Sequence, residues 1–184
     1  MSADHDAVRA HVAALRDAFD GAFARPLDGA RPDEVDLVAI RVAGAPFALR
    51  AAELAGLAAD RRVVPVPGAR PELLGVAGLR GNLVPVFDLA ALLGLGRAPG
   101  APRWLALSGR GDRAVGLAFG GFDAYERVPA AAIEAAAPGG QGEAGRGHVT
   151  ELVRVAGVLR SVIGLDGLVA ALRARSARGD EEEG

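Results

Sequence analysis

Hydrophobic positions follow two different periods along this chain. In the first stretch Val8, Val12, Leu15, Phe19 and Phe23 recur at i, i+4, i+7, i+11 and i+15, the spacing that lines one face of an α-helix. Asp4 or Asp6 is placed to cap it, and "GARPD" (29–33) breaks the chain. The pattern predicts a helical extension over 1–34, either packed on its own domain or offered to a partner. From Val35 the period shortens to that of strands. "VDLVAIRV" (35–42) and "PFALR" (46–50) flank "AGA" and read as a hairpin. "AAELAGL" (51–57) reads as a short helical or irregular piece. "RRVVPVP" (61–67) reads as a strand whose Pro65 and Pro67 mark an edge or an exit. "LLGVAGL" and "NLVPVF" form two strands about Arg80–Gly81, and Asp88 is placed to cap a short helix through Leu93, closed by Gly94.

The same succession returns after the linker "RAPGAP" (97–102). "RWLALSG" and "RAVGLAFG" give a second hairpin, "FDAYERVP" a further strand, and "PGGQGEAGRG" (138–147) a loop. "TELVRVAGVLRSVIGL" gives two strands, Asp166 opens a helix through Leu172, and 174–184 reads as a disordered acidic tail. "VAG" occurs at 76–78 and at 155–157, each followed by an arginine (Arg80, Arg160) and by a helix-opening aspartate (Asp88, Asp166). A repeat of 78 to 79 residues is too long for a solenoid unit. It predicts a mainly β chain of two similar small five-stranded β-barrel subdomains, SH3-like or OB-like, related by a pseudo-twofold, with short helices and an N-terminal helix. The β domain is expected over 35–173.

Composition narrows the function. No apolar run approaches the ~18–20 residues of a membrane span, and the first residues lack a basic stretch followed by an apolar one, so direct membrane insertion and a signal peptide are not expected. Cysteine is absent and the net charge is −2, which removes disulfides and thiolate chemistry and fits a cytoplasmic chain. No basic stripe interleaves with aromatics, so nucleic acid is not an expected partner. All 21 basic residues are arginine, which excludes a phosphate loop with its lysine and any lysine base or Schiff base.

Candidate chemistry is sparse. His5 and His11 lie six apart, about 240° around a helix, and do not share a face. No serine sits in a G-x-S-x-G frame. "GQGEAG" (140–145) matches a dinucleotide fingerprint in letters, but no apolar strand leads into it and no helix follows. Asp123 and Glu126, three apart on a strand, face opposite sides. No cofactor, metal site or catalytic residue is predicted, and the chain reads as a binding module rather than an enzyme.

"LLGVAGLRGNLVPVFDLAALLGL" (73–95) resembles the signature of CheW-like domains, in which an apolar strand ends in an N-L-R-G-like turn and a V-P-V-x-D-L strand–helix follows. The resemblance runs from about Val35 to Leu172 and takes in both hairpins and the closing "VIGLDGLVAAL". It implies a scaffold without catalysis. Such a scaffold couples the cytoplasmic tips of chemoreceptors to a CheA-type histidine kinase by binding the kinase's regulatory domain. It also implies partner-binding roles for Arg80 and Gly81 at the turn, for Gly75 in the strand before it, and for Leu54 and Leu57 in the segment that contributes to coupling. The chain departs from the pattern at Gly56, where an acidic residue is usual, at "FGGF" (119–122) and at "LVRVAG" (152–157). The alternative is therefore a divergent adaptor that binds one of these partners or serves another signalling complex.

Arg80 itself has two readings. A charged residue is rarely left buried and unpaired, so at a tight bend it points outward. There its guanidinium either holds the turn through local carbonyls or meets a partner, and five donors allow both.

Overall fold

The computed structural model describes residues 33–67, 70–79, 81–96, 100–136 and 148–181. The predicted N-terminal helix lies outside the described residues. From Glu34 the chain is mainly β. The first hairpin is β1 (Glu34–Val42) and β2 (Ala45–Arg50). Next come β3 (Gly56–Ala59), the two-residue β4 (Val63–Val64), β5 (Leu73–Leu79), β6 (Asn82–Asp88) and the helix α1 (Leu89–Leu92). The second hairpin is β7 (Trp104–Ser108) and β8 (Val115–Phe119). Then follow β9 (Gly121–Pro129), β10 (Ile133–Ala135), β11 (Val149–Val155), β12 (Val158–Ile163) and α2 (Leu165–Glu181).

These strands form two six-stranded sheets. Sheet I runs β10-β11-β12-β2-β1-β9 and sheet II runs β3-β7-β8-β6-β5-β4. The expected five strands per unit is thus corrected to six. The additions are β3, in the stretch read as irregular, and β10, in an alanine-rich run. Both are short edge strands whose identity comes from pairing with a neighbour rather than from their own pattern.

Written from the edge beside the hairpin, the two sheets are one plan: edge strand, hairpin, parallel neighbour, its antiparallel partner, short edge strand. Each sheet, however, takes its hairpin from one half of the chain and its other four strands from the other half. β2 lies parallel to β12, and β8 lies parallel to β6. The halves of the sequence are therefore not the two sheets, because each half lends its hairpin to the other.

The register of the repeat also differs from the one suggested by "VAG". Leu73 pairs with Phe87 and Gly75 with Val86, skipping Leu74, while Val149 pairs with Ile163 and Glu151 with Val162, skipping Thr150. The two bulges sit at a constant offset of 76 residues, and so do the turns, where Leu79 faces Asn82 and Val155 faces Val158. Arg80–Gly81 thus corresponds to Ala156–Gly157, and Arg160 corresponds to Val84. The tripeptide misleads because it occurs in two settings. At 42–44 and 155–157 its last two residues are the turn, with φ 49 and 83 at Ala43 and Gly44 and 49 and 75 at Ala156 and Gly157, the positive pair of a type I′ hairpin. At 76–78 it is strand.

The core lies between and outside the sheets. Val38, Ile40 and Leu49 of sheet I meet Leu117 and Phe119 of sheet II, with Leu89 of α1 and Leu165, Leu168 and Leu172 of α2 in the same cluster. The opposite face of sheet I buries Leu37, Ala39, Val153 and Val162, and that of sheet II buries Ala77, Val84, Val86 and Leu105. β1 is buried on both faces, which is why "LVAI" reads as an unbroken apolar run.

Two helix ends depart from expectation. α2 continues past Leu172 to Glu181, so the stretch expected to be disordered is helical that far. Alanine, arginine and glutamate favour helix even where too few apolar residues recur to suggest a packed face. Asp166 is not its cap, since the helix begins one residue earlier.

Candidate partner-binding site

The β5–β6 turn is built by the strands that lead into it. Leu79 and Asn82 close the ladder, and Gly81 takes φ +83 with nothing within 4 Å of where a Cβ would stand. Glycine suits this left-handed conformation, which side chains disfavour. Arg80 lies outside the described residues. The next residue along β6, Leu83, is 78% exposed, the most exposed large hydrophobic among the described residues. Its pleat partner across the ladder is Gly78, also exposed, so no neighbouring side chain covers it from that strand. Val64 on β4, paired with Val76, is 51% exposed. Val66 follows at 41%. Leu83 is thus the exposed apolar side chain at the turn, while Val64 and Val66 lie along β4 and beyond it, away from the turn.

The other expected site residues fall elsewhere. Gly75 is buried, with φ +142, and a Cβ there would collide with the backbone carbonyl of Val64. Its glycine is required by the close approach of β4. Leu54 is buried at 8% exposure and sits in the inter-sheet core, and Leu57 is half-buried against the same cluster. Leu54 therefore does not form exposed apolar surface. Arg160, expected at a bend, is corrected to a strand position and is 2% exposed. Its Nη2 donates to Asp123 Oδ2 at 2.8 Å and its Nη1 to the Ile40 and Phe47 carbonyls at 3.2 and 3.4 Å. Arg41 Nε reaches the other oxygen of Asp123 at 3.1 Å.

Two features were not visible to sequence reasoning. Asp88 caps α1 as expected, its Oδ1 accepting from the Ala90 amide at 2.9 Å. The corresponding residue before α2 is Gly164, which has no side chain to offer. Glu53, from the turn after β2, reaches across and accepts from the Leu165 amide through Oε2 at 2.6 Å. Burial pushes its carboxyl above the usual range, against the pull of that amide. The second feature is Leu83. Its only sequence signal is an apolar residue at the outward position of a strand just after a turn.

Among the described residues, no group of three or more His, Cys, Asp or Glu side chains could hold a metal ion, and no helix is long and apolar enough to cross a membrane. The arrangement at the β5–β6 turn offers contact area rather than converging acids and bases.

The chain matches the family model of the CheW-like domain over residues 36–172, a span that includes both hairpins, both bulged strand pairs and the start of α2. Among solved structures it is similar to the scaffolding protein TtCheW from Thermoanaerobacter tengcongensis. The two share 17% identity with a TM-score of 0.60, covering 71% of this chain and 88% of that one. No curated protein matches it. The chain belongs to the CheW-like domain family of scaffold and adaptor domains in chemotaxis signalling.

Proposed function

We propose that the chain is a non-enzymatic adaptor that couples the cytoplasmic tips of chemoreceptors to the regulatory domain of a CheA-type histidine kinase. The observation that carries this reading is the family match spanning both repeats, with an exposed apolar surface at the Arg–Gly turn that marks the family signature. Such an adaptor does its work by differential affinity. If it binds one conformational state of receptor or kinase better than another, it shifts the populations of both. Leu83 supplies a contact suited to that work, an aliphatic side chain already facing solvent, and Arg80, two residues before Asn82 in sequence, carries a guanidinium with several donors.

The test is titration of the Arg80→Ala and Leu83→Ser variants against a kinase regulatory domain and, separately, against a receptor tip fragment. Affinity for at least one partner is expected to fall about thirtyfold, the loss of a central contact of about 2 kcal/mol. Thermal melts should stay near those of the unsubstituted chain, because Leu83 faces solvent and truncation at a turn removes few packing contacts. Leu159→Ser is the matched control, since Leu159 occupies the position of Leu83 in the other repeat and is 52% exposed. Loss with one partner only would identify the single-partner adaptor. Unchanged affinity for both in both variants would remove the turn from the interface.

A further inference from the structure

The two sheets differ at the mouth formed by the hairpin turn and the neighbouring strand turn. In sheet I that mouth is filled by Arg160, with Asp123 and Arg41 closing over it. The register fixes what stands at the same places in sheet II. Ser108 faces Val115 as Ile40 faces Phe47, and Leu107 faces Gly56 as Ala39 faces Ala124. These pairs place Gly109 where sheet I has Arg41, while Asp123 is the extra residue of a bulge in β9 that β3 lacks, so the chain at that point of sheet II offers only Ala55. The turn offset places Val84 where sheet I has Arg160. The two arginines are thus replaced by Gly109 and Val84, the bulge aspartate has no counterpart, and the space is open. A cavity of about 300 Å³ lies there, with Leu79, Val84 and Leu107 as its apolar floor, Ala55 and Ala114 as walls, and Asn82 and Arg110 at its rim. Its volume sits at the bottom of the ~300–1,000 Å³ range of small-ligand pockets, which suits a side chain better than a cofactor.

The charge around the opening selects the occupant. Arg110 lines it, and Arg113 and Arg173 stand at the same hairpin turn, the Arg173 Nη2 donating to the Arg113 carbonyl at 2.6 Å. All three are exposed, and none takes part in an ion pair among the described side chains. The Asp112 side chain lies outside the described residues. A cationic side chain entering this mouth would find no acid among the described lining residues to match the Asp123 that Arg160 meets, with arginines nearby. An aliphatic side chain would meet a floor of leucine and valine, and acids flanking it would meet the arginines.

We infer that the mouth of sheet II is a receptor for one aliphatic side chain carried on an acidic segment of a partner protein. The inference rests on the cavity and its charged rim and does not depend on the adaptor reading. The probes are capped peptides of sequence EELEE, EESEE and RRLRR, titrated into the full chain labelled with nitrogen-15. EELEE is expected to give saturable shifts at the amides of Asn82, Leu107 and Ala114. EESEE, lacking the anchor, and RRLRR, of the wrong charge, should each bind about tenfold more weakly, the order expected for one good apolar contact or a rim of charge pairs. Asn82→Trp covers the opening from an exposed turn position and should abolish the shifts. The pair Ala55→Asp with Val84→Arg puts an acid and a guanidinium into the opening, after the plug of sheet I, and should do the same. If that buried pair fails to fold, Asn82→Trp decides. Arg110→Glu with Arg113→Glu should reverse the preference between EELEE and RRLRR. The inference is overturned by absence of saturable EELEE binding, by equal binding of EELEE and EESEE, by shifts mapping away from the mouth, or by undiminished binding to Asn82→Trp.

Discussion

Sheet I and sheet II share a strand order, a pair of parallel contacts and a bulge at matching positions, yet they resolve the same three structural needs differently. At the mouth, sheet I buries Arg160 and ties it to Asp123 and Arg41 at the surface, where sheet II keeps apolar side chains and open space. At the helix entry, α1 is capped by its own Asp88, while α2 borrows Glu53 from the far half of the chain. At the strand turn, the β5–β6 hairpin has Arg80–Gly81 and a leucine that is 78% exposed, whereas the β11–β12 hairpin has Ala156–Gly157 and, at the matching position, Leu159 at 52%. The difference separates what the fold requires from what is available for binding. The half with local solutions leaves its surface apolar and unfilled. The half with long-range polar solutions ties the two repeats together, since Arg160 and Glu53 each bridge more than a hundred residues of sequence.

The largest expected effect comes from breaking the sheet I plug. Arg160→Val removes the guanidinium from the Ile40 and Phe47 carbonyls and leaves Asp123 with Arg41 alone. Arg160 is buried while Asp123 is exposed and keeps Arg41, so the loss is that of the buried carbonyl contacts, about 1–3 kcal/mol, which urea unfolding would read as a lowered midpoint. Adding Asp123→Ala to this variant is expected to cost less than the same change in the unsubstituted chain, because the Arg160 contact is already gone. Losses that simply add would show that the carbonyl contacts, not the pair, hold this mouth together.

A smaller effect separates the two aspartates that looked equivalent in sequence. Asp88→Ala should cost about 1 kcal/mol, the usual value of an N-cap. Asp166, in the first turn but not the cap, retains only its interaction with the helix dipole, and Asp166→Ala should cost about 0.3–0.5 kcal/mol. Equal losses in paired thermal melts would restore Asp166 as a cap and undo the assignment of that role to Glu53.

What was legible in sequence follows from the range of each interaction. The hairpins, the Arg80–Gly81 bend and the Asp88 cap depend on residues within a few positions of one another, and their patterns are written locally. The register of the repeat was not legible, because "VAG" means turn in two places and strand in the third. The burial of Arg160 was not legible either. Its acceptors sit on β1, β2 and β9, and a lone arginine after a predicted bend carries no mark of the carbonyls awaiting it. Gly75 was named as a partner-binding residue, whereas the need for glycine there comes from the β4 backbone pressed against it, which no local pattern records. The mouth of sheet II could be recognised only once the two repeats were in register.

The finest test of the comparison is the borrowed cap. Glu53 has its pKa raised by burial first and by Asp166 besides, while the Leu165 amide and Arg50 pull it down. A carboxyl whose folded pKa is raised binds its proton more tightly in the native state. Its contribution to stability is therefore fully present below the unfolded value near 4.5 and is lost as pH rises through the folded value. Asp36 runs the opposite way. The Arg127 guanidinium holds it below 3.8, so its contribution is present above that value and fades as pH falls through the folded pKa. The pH profile of the whole chain mixes these, and only a difference between variants isolates Glu53. Glu53→Gln keeps an oxygen for the Leu165 amide and removes the titration. At pH 7 the variant should be as stable as the unsubstituted chain or slightly more so, and this advantage should close as pH falls through the window above 4.5. Asp88→Ala, which removes a cap built locally, should show no such convergence over that window. A Glu53→Gln variant less stable than the unsubstituted chain at pH 7, with a deficit that shrinks on acidification, would mean that the charge of Glu53 holds the helix end, and that α2 depends on its borrowed carboxylate as an ion rather than as a hydrogen-bond acceptor.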